Sequence, residues 1–389
     1  MRRELLRHFD YWLFGAVMIL TIFGIVMIRS AAAGNEEVIA SVERQMIFAG
    51  MAMAVVIIMT LIDYRTWSSL NRLIYLVAVG LLVVIYVLGQ ARFGAQRWLE
   101  FGLILVQPTE VAKIAIILVL ANYFSKRQHV PKDIRWILGS FLLTLGVVIW
   151  ILLQPNLSNS IVIFVIWFAM LWLAGLPWQY LLVFGGIGLV GALSAFPFLE
   201  PYQQQRILTF FYPDPNARYG NSYNVDQALI AIGSGGLFGQ GYGHGTQVQL
   251  RFLKVRHTDY IFSAMAEEFG FVGTVLVIAL LVFVVIRCIR AARLAPDLFG
   301  AMISYGFAVL IFFQSAVNIG VNLKVIPVTG LTLPFISYGG SSLVSLALGI
   351  GLVESVTFMG GLPHTQVMEQ LGWADVLLHP SLSEGFCNV

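Results

Sequence analysis

Stretch after stretch of this chain runs for about 20 residues with hardly a charge, the length a helix needs to cross the roughly 30 Å hydrocarbon core of a bilayer. Ten such spans can be drawn: 11–29, 45–62, 73–90, 108–125, 135–153, 158–175, 178–197, 260–286, 299–318 and 336–357. Lipid leaves no water to satisfy backbone N–H and C=O groups, so spanning segments must be helices or a closed barrel. The expected fold is therefore an all-α polytopic membrane protein. Composition agrees: 59% of the 389 residues are hydrophobic and only 11% charged, where a soluble domain carries about 25% charged residues. Mean hydropathy is +0.84. A formal charge of +3 is too small to suggest nucleic-acid binding, and no basic block runs long enough to form a groove. Two distant cysteines, Cys288 and Cys387, offer neither a disulfide framework nor a cysteine metal site.

The N-terminus, with Arg2, Arg3 and Arg7 ahead of an apolar run and Ala31-Ala32-Ala33 behind it, imitates a signal peptide. The run 11–28 is longer than a signal core of about 7–15 residues, so a retained first membrane helix is expected. Basic residues set the orientation. With the N-terminus inside, the cytoplasmic side collects Arg2, Arg3, Arg7, Arg65, Arg72, Lys126, Arg127, Lys132, Arg135, Arg287, Arg290 and Arg293. The short outer loops hold only Arg29, Arg44, Arg92, Arg97 and Lys324. This puts both termini in the cytoplasm and the long 198–258 segment outside, between the seventh and eighth spans.

Residues 359–389 differ from the rest. Gly360-Gly361-Leu362-Pro363 makes a break, followed by Ala374-Asp375-Val376-Leu377-Leu378-His379-Pro380-Ser381 and Ser383-Glu384-Gly385-Phe386. This stretch resembles the donor-sugar segment of two-Rossmann-domain nucleotide-sugar glycosyltransferases. It is too short for a domain of even about 50 residues, so it is expected to be a cytoplasmic fragment without fixed structure, and 1–358 the functional domain.

The chemistry-bearing groups concentrate at Arg256-His257-Thr258-Asp259, where the long polar segment meets the eighth apolar run. A carboxylate at the mouth of a bilayer is a functional candidate, and Asp259 can serve as a base. It or Thr258 can equally cap the helix that follows. Eight residues on, Glu267 falls near the same helical face as Asp259 while Glu268 points the other way, so one of them is expected to face an internal polar cavity. In the fourth span Glu110 and Lys113 share a face, where they neutralise each other or hold a ligand. The glycine-rich run Ile232–Gly245 is either a backbone nest for a pyrophosphate or a tight turn at the membrane surface. His244, His257 and Asp259 have poor spacing for a protein metal site. A hard cation shared by a lipid pyrophosphate and a carboxylate fits better. Asn156, Asn318 and Asn322 place amides at the outer ends of helices.

These motifs together closely resemble the SEDS family of cell-wall polymerases, the RodA/FtsW/SpoVE group. The family marks are Gly94-Ala95-Gln96-Arg97-Trp98, Gln107-Pro108-Thr109-Glu110 with Lys113, Tyr202-Gln203 with Arg206, Asp214-Pro215 and Gln227. They continue with Ile232-Gly233-Ser234-Gly235-Gly236, Gly245-Thr246-Gln247, His257-Thr258-Asp259, Ala266-Glu267-Glu268 and Pro327-Val328-Thr329-Gly330. The last runs from Leu333-Pro334-Phe335 through Ser337-Tyr338-Gly339-Gly340-Ser341-Ser342. Gly245-Thr246-Gln247 and Pro327–Gly330 lean toward RodA, whereas Leu331-Thr332-Leu333-Pro334 is shared with the division branch.

The resemblance implies a multi-pass protein of the bacterial cytoplasmic membrane that polymerises lipid II into glycan strands on the outer face. Asp259 matches the family's essential acidic residue and would be the catalytic base. Arg206, Lys113, Glu110, Arg97, Gln227, His257, Thr258, Glu267 and Ser337 would bind substrate. It further implies a class B penicillin-binding protein as partner, within an elongation or division complex. A divalent cation (Mg or Mn) at Asp259 is the one cofactor considered, and no organic cofactor is expected. Asn156 stands where many members carry Asp, and Lys254-Val255 replaces a common Pro-Glu. Two other functions fit a many-helix protein with intramembrane charges: a lipid II flippase, or a non-catalytic scaffold that activates the transpeptidase.

Overall fold

A computed structural model describes residues 9–32, 36–88, 90–92, 95–101, 104–128, 133–213 and 220–359. The helices are α1 (Tyr11–Ala31), α2 (Glu36–Leu61), α3 (Arg65–Ser69), α4 (Asn71–Leu88), α5 (Pro108–Ser125), α6 (Ile134–Leu153) and α7 (Leu157–Leu173). They continue with α8 (Trp178–Ala195), α9 (Pro201–Phe211), α10 (Asn221–Ser234), α11 (Thr246–Gln249), α12 (Ile261–Leu294), α13 (Leu298–Asn322) and α14 (Gly340–Met359). Among the described residues α1, α2, α5, α6, α12, α13 and α14 are long and apolar enough to cross a membrane, and α4 and α7 are shorter apolar helices.

Short polar side chains set where these helices begin. Asp10 accepts a hydrogen bond from Leu13 N at 3.1 Å, Asp133 from Trp136 N at 3.0 Å, and Asp297 from Gly300 N at 2.8 Å, each satisfying an otherwise free N–H of a first turn. α5 starts with a proline in its first turn, where the missing N–H costs nothing. Although the fourth span carries two charges, α5 is the most enclosed helix of the bundle, packed by α4, α6, α7, α13 and α14. α14 lies along α2.

α1 and α12 run antiparallel and are pinned at both ends. At one end Arg287 Nε donates to Asp10 Oδ2 at 2.8 Å, and Asp10 N donates to Glu354 Oε2 at 3.0 Å. At the other, Ser30 Oγ donates to Glu268 Oε1, and Arg256 Nε donates to the Ala31 carbonyl at 2.7 Å.

The structure corrects the expectation at several points. Beside the helices stands a small three-stranded antiparallel sheet that the expectation lacked, β1 (Gln90–Arg92), β2 (Ala95–Phe101) and β3 (Ile104–Val106), with Leu99 opposite Val106. The 198–258 segment holds α9, α10 and α11 rather than a bare loop. The last helix begins at Gly340, not 336. Residues 360–389 lie outside the described residues, as do Gly94 and Asp214-Pro215.

Candidate functional site

The site grows from the start of α12. Residues 257–259 are held by three successive backbone carbonyls, two gripped by the adjacent residues Ser337 and Tyr338 and the third by α13. His257 O accepts from Tyr338 N at 2.9 Å, and Thr258 O from Ser337 Oγ at 2.7 Å. Asp259 O accepts from Asn318 Nδ2 at 3.2 Å and Asn322 Nδ2 at 2.9 Å. Asn322 Oδ1 in turn accepts from Ser263 N at 3.1 Å and Ser263 Oγ at 2.6 Å, capping the first turn of α12. Ser337 Oγ also accepts from Leu333 N at 2.9 Å, and Asn318 Nδ2 also donates to Leu331 O at 2.7 Å. The clamp fixes the main chain of the His-Thr-Asp motif.

The Asp259 side chain is treated differently. Among the described residues no hydrogen-bond donor reaches its half-buried carboxylate. Its charged neighbour is Arg206 of α9: both approach the same point beside Gly330, where a Cβ would stand 3.9 Å from Asp259 Oδ2 and 4.0 Å from Arg206 Nη1. Burial pushes the Asp259 carboxyl up to about 6, against a downward pull from Arg206. Burial and then the Arg256 charge lower the His257 pKa below its usual value, so its ring is neutral at pH 7.

α9 is seated by motifs far apart in sequence. Pro155 O accepts from the Tyr202 hydroxyl and from Gln203 Nε2, the latter at 3.2 Å. Arg206 stacks 5.7 Å over the Tyr202 ring and reaches Thr329 O at 3.4 Å. Ser158 Oγ of α7 donates to the same Thr329 carbonyl at 2.7 Å. The 154–158 turn, the Tyr202–Arg206 face and the 327–330 loop thus meet beside Asp259.

Other expected site residues are placed elsewhere. Lys113 Nζ lies 2.8 Å from Glu110 Oε1, with side chains 1% and 6% exposed. Of the two readings of that pair, mutual neutralisation is the one realised, and Lys113 is no open cation. Glu267 is fully buried. Its carboxylate accepts from Gln247 N at 2.7 Å, Val248 N at 3.2 Å and Thr246 Oγ1 at 3.2 Å, capping α11. Gln227 is half-buried on α10. Arg97 belongs to β2, its side chain outside the described residues. Among the described residues no three His, Cys, Asp or Glu side chains cluster as a metal site.

The glycine-rich run is a clasp rather than a phosphate nest. α12 breaks at Gly270, whose φ of 65° and ψ of −164° suit only glycine. The break frees carbonyls before it and N–H groups after it. Gln240 N and Gly241 N donate to Glu267 O and Glu268 O at 2.9 and 3.0 Å, while Phe271 N and Val272 N donate to Gly236 O and Leu237 O at 2.9 and 3.0 Å. The N–H groups of 240 and 241 are consumed by α12. That satisfies a helix break at membrane depth.

Sequence reasoning noticed Asn318 and Asn322 without seeing their work. Their i, i+4 spacing, which puts both amides on one face of α13, was the available signal.

Comparison with known proteins identifies the family. The family model for cell cycle proteins of the FtsW/RodA/SpoVE type matches residues 10–359. The peptidoglycan glycosyltransferase MrdB of Escherichia coli K12 is 33% identical over 354 residues, covering 90% of this chain and 93% of the relative. The probable peptidoglycan glycosyltransferase FtsW of Aliivibrio salmonicida is 35% identical over 358 residues, covering 89% and 88%. Among solved structures, a chain from a peptidoglycan synthase complex that coordinates polymerization and crosslinking superposes with a TM-score of 0.78 at 32% identity, covering 91% of this chain and 99% of that one. With a family match across nearly all of the described chain, this protein belongs to the FtsW/RodA/SpoVE family.

Proposed function

We propose that the chain is a peptidoglycan glycosyltransferase that polymerises lipid II, an enzyme of the inverting glycosyl-transfer class. The observation that carries this reading is a carboxylate lifted to about 6, held on a clamped backbone next to a single arginine. Such a group is ionised at pH 7 yet basic enough to take a proton, and a base near its working pH typically contributes about 10²–10⁴-fold. Asp259 takes the proton of the acceptor GlcNAc 4-hydroxyl. That oxygen bonds to the anomeric carbon of the donor MurNAc, the bond to the pyrophosphate breaks, and undecaprenyl pyrophosphate leaves with inversion. Arg206 supplies positive charge to the leaving group.

The remaining site residues divide by what they touch. Ser337, Asn318, Asn322 and Glu267 are positioning residues, and the Glu110–Lys113 pair holds α5 together. His257, Thr258, Gln227 and Arg97 stay with the substrate-binding reading. A divalent cation, Mg or Mn, would find one carboxylate here and draw its other ligands from water and substrate phosphates, where it would neutralise leaving-group charge.

The orientation belongs to the same proposal. The Asp259 end faces outward, the Arg287 end faces the cytoplasm, and ten spans cross the bacterial inner membrane. The relative solved in a synthase complex supports a class B penicillin-binding protein as partner.

The test is glycan synthesis from labelled lipid II by the protein with its transpeptidase partner, wild type against Asp259→Asn. Polymer from wild type and none from the folded variant is the expected result. Polymer from both removes Asp259 as base. Polymer from neither, with lipid II crossing liposomes, replaces the polymerase by a flippase.

A further inference from the structure

α13 ends in a Schellman motif: Val325 N donates to Gly320 O at 2.8 Å and Lys324 N to Val321 O at 3.1 Å. The residue that turns the chain is Lys324, in the left-handed region at φ 56°, where helices commonly place glycine. A lysine in a position that favours glycine calls for a reason in its side chain. That side chain ion-pairs with Asp226 of α10 at 2.8 Å, with both partners partly open, at 31% and 43% exposure.

Lys324 also lines a small, open pocket of about 20 Å³ together with Arg206, Thr209, Ser222 and Val328. Ser222 is 7% exposed, and its Oγ has no hydrogen-bond partner. A buried hydroxyl left unsatisfied costs free energy, and here it borders a space with two cations. Arg206 is shared: it reaches the Gly330 point where Asp259 also arrives, and it walls a cavity that Asp259 does not touch. Inversion puts base and leaving group on opposite sides of the reacting carbon, so the space beyond Arg206 is where leaving-group oxygens belong.

We propose that Lys324, Ser222 and Arg206 seat the pyrophosphate of the lipid-linked donor, with Lys324 exchanging Asp226 for a phosphoryl oxygen when substrate binds. This rests on the polymerase reading for the identity of the ligand. The exchange is feasible because a half-exposed single ion pair is weak, while a phosphoryl group offers several charged acceptors to ammonium, guanidinium and hydroxyl together. A plain structural strut between α10 and α13 makes the opposite prediction about Asp226, and that separates the two.

The experiment uses full-length protein in nanodiscs, with inorganic pyrophosphate as the probe and thermal melting as the readout, beside lipid II kinetics. Lys324→Gly is informative because glycine suits the backbone position while removing the ammonium. Pyrophosphate should raise the melting temperature of wild type, Lys324→Arg and Asp226→Asn, and much less that of Lys324→Gly or Ser222→Ala. KM for lipid II should rise about tenfold in Lys324→Gly, the effect of one lost charge-assisted bond, and should not rise in Asp226→Asn. Asp226→Asn losing the shift as fully as Lys324→Gly overturns the seat in favour of the strut, as does a full shift in Lys324→Gly. A shift with D-alanyl-D-alanine and none with pyrophosphate would assign the cavity to a peptide carboxylate and overturn the proposal. The two readings fail separately. A pyrophosphate shift lost in Lys324→Gly, in a protein that makes no glycan, keeps the seat and removes the polymerase. Normal KM and normal shift in Lys324→Gly, with glycan made, keep the polymerase and remove the seat.

Discussion

Asp259 combines a pinned main chain with an unpinned carboxylate, and the groups that pin its carbonyl come from 59 and 63 residues away. Its local motif was legible in sequence because a carboxylate at the edge of an apolar run is costly and rare. The clamp was not legible, since Asn318, Asn322 and Ser337 acquire their roles only when α13 and the 331–339 segment fold back over α12. The lifted carboxyl makes two linked predictions. Glycan synthesis at lipid II well below KM, which reports the free enzyme, should rise with pH along a limb centred near 6 and level off above it, as a base requires. Arg206→Gln should move that limb to higher pH, because the guanidinium is the lowering influence. A profile flat from about pH 5 to 7 would remove the base assignment. For stability the sign reverses. The folded value lies above the roughly 3.9 of an unfolded aspartate, so the folded state keeps its proton longer and stability falls as pH climbs from about 4 to about 6. Asp259→Asn should therefore melt above wild type at pH 7, with the advantage shrinking toward zero near pH 4.

At the scale of elements, the decisive device is the clasp over the break in α12. From sequence the glycine run could be a nest or a turn, because its many glycines permit both. Nothing local identified Gly270 as its counterpart, sitting as it does inside an apolar run that reads as continuous helix. Unbroken, 34 residues would extend about 50 Å at 1.5 Å per residue, well beyond a bilayer core. The break holds Glu267 and Glu268 against α11 and α1, so the polar segment that carries the site has fixed anchors. Gly270→Ala meets two penalties at once: a left-handed backbone for a residue with a Cβ, and a collision of that Cβ with Gly239 N. The backbone strain alone is worth about 1–3 kcal/mol in this nearly glycine-only region, and the collision adds to it. The expected outcome is a large drop in melting temperature and poor recovery of monodisperse protein, with lost activity following from lost fold. A Gly270→Ala protein that melts like wild type would show the break to be incidental.

Across the whole molecule, the apolar spans were readable because lipid imposes one simple rule on length and charge. The three short strands, the helices within 198–258 and the central place of α5 were not, because each depends on packing partners rather than on its own composition. What results is a bundle with two unlike ends. One gathers Asp259, Arg206 and the Lys324 cavity. The other ties Asp10 to Arg287 and Glu354, close to the exposed Arg293 in the last turn of α12. If basic ends face the cytoplasm, the carboxylate end is outside, and a lipid-linked donor must already have been carried across before it can react. Single cysteines test this in a background where Cys288 and Cys387 are replaced by serine. Tyr212→Cys, at the 80% exposed end of α9, should react with a membrane-impermeant maleimide on intact spheroplasts. Arg293→Cys should react only after permeabilisation. The reverse pattern would put the base on the side where the precursor is made, and polymerisation outside the membrane would then be impossible for this site.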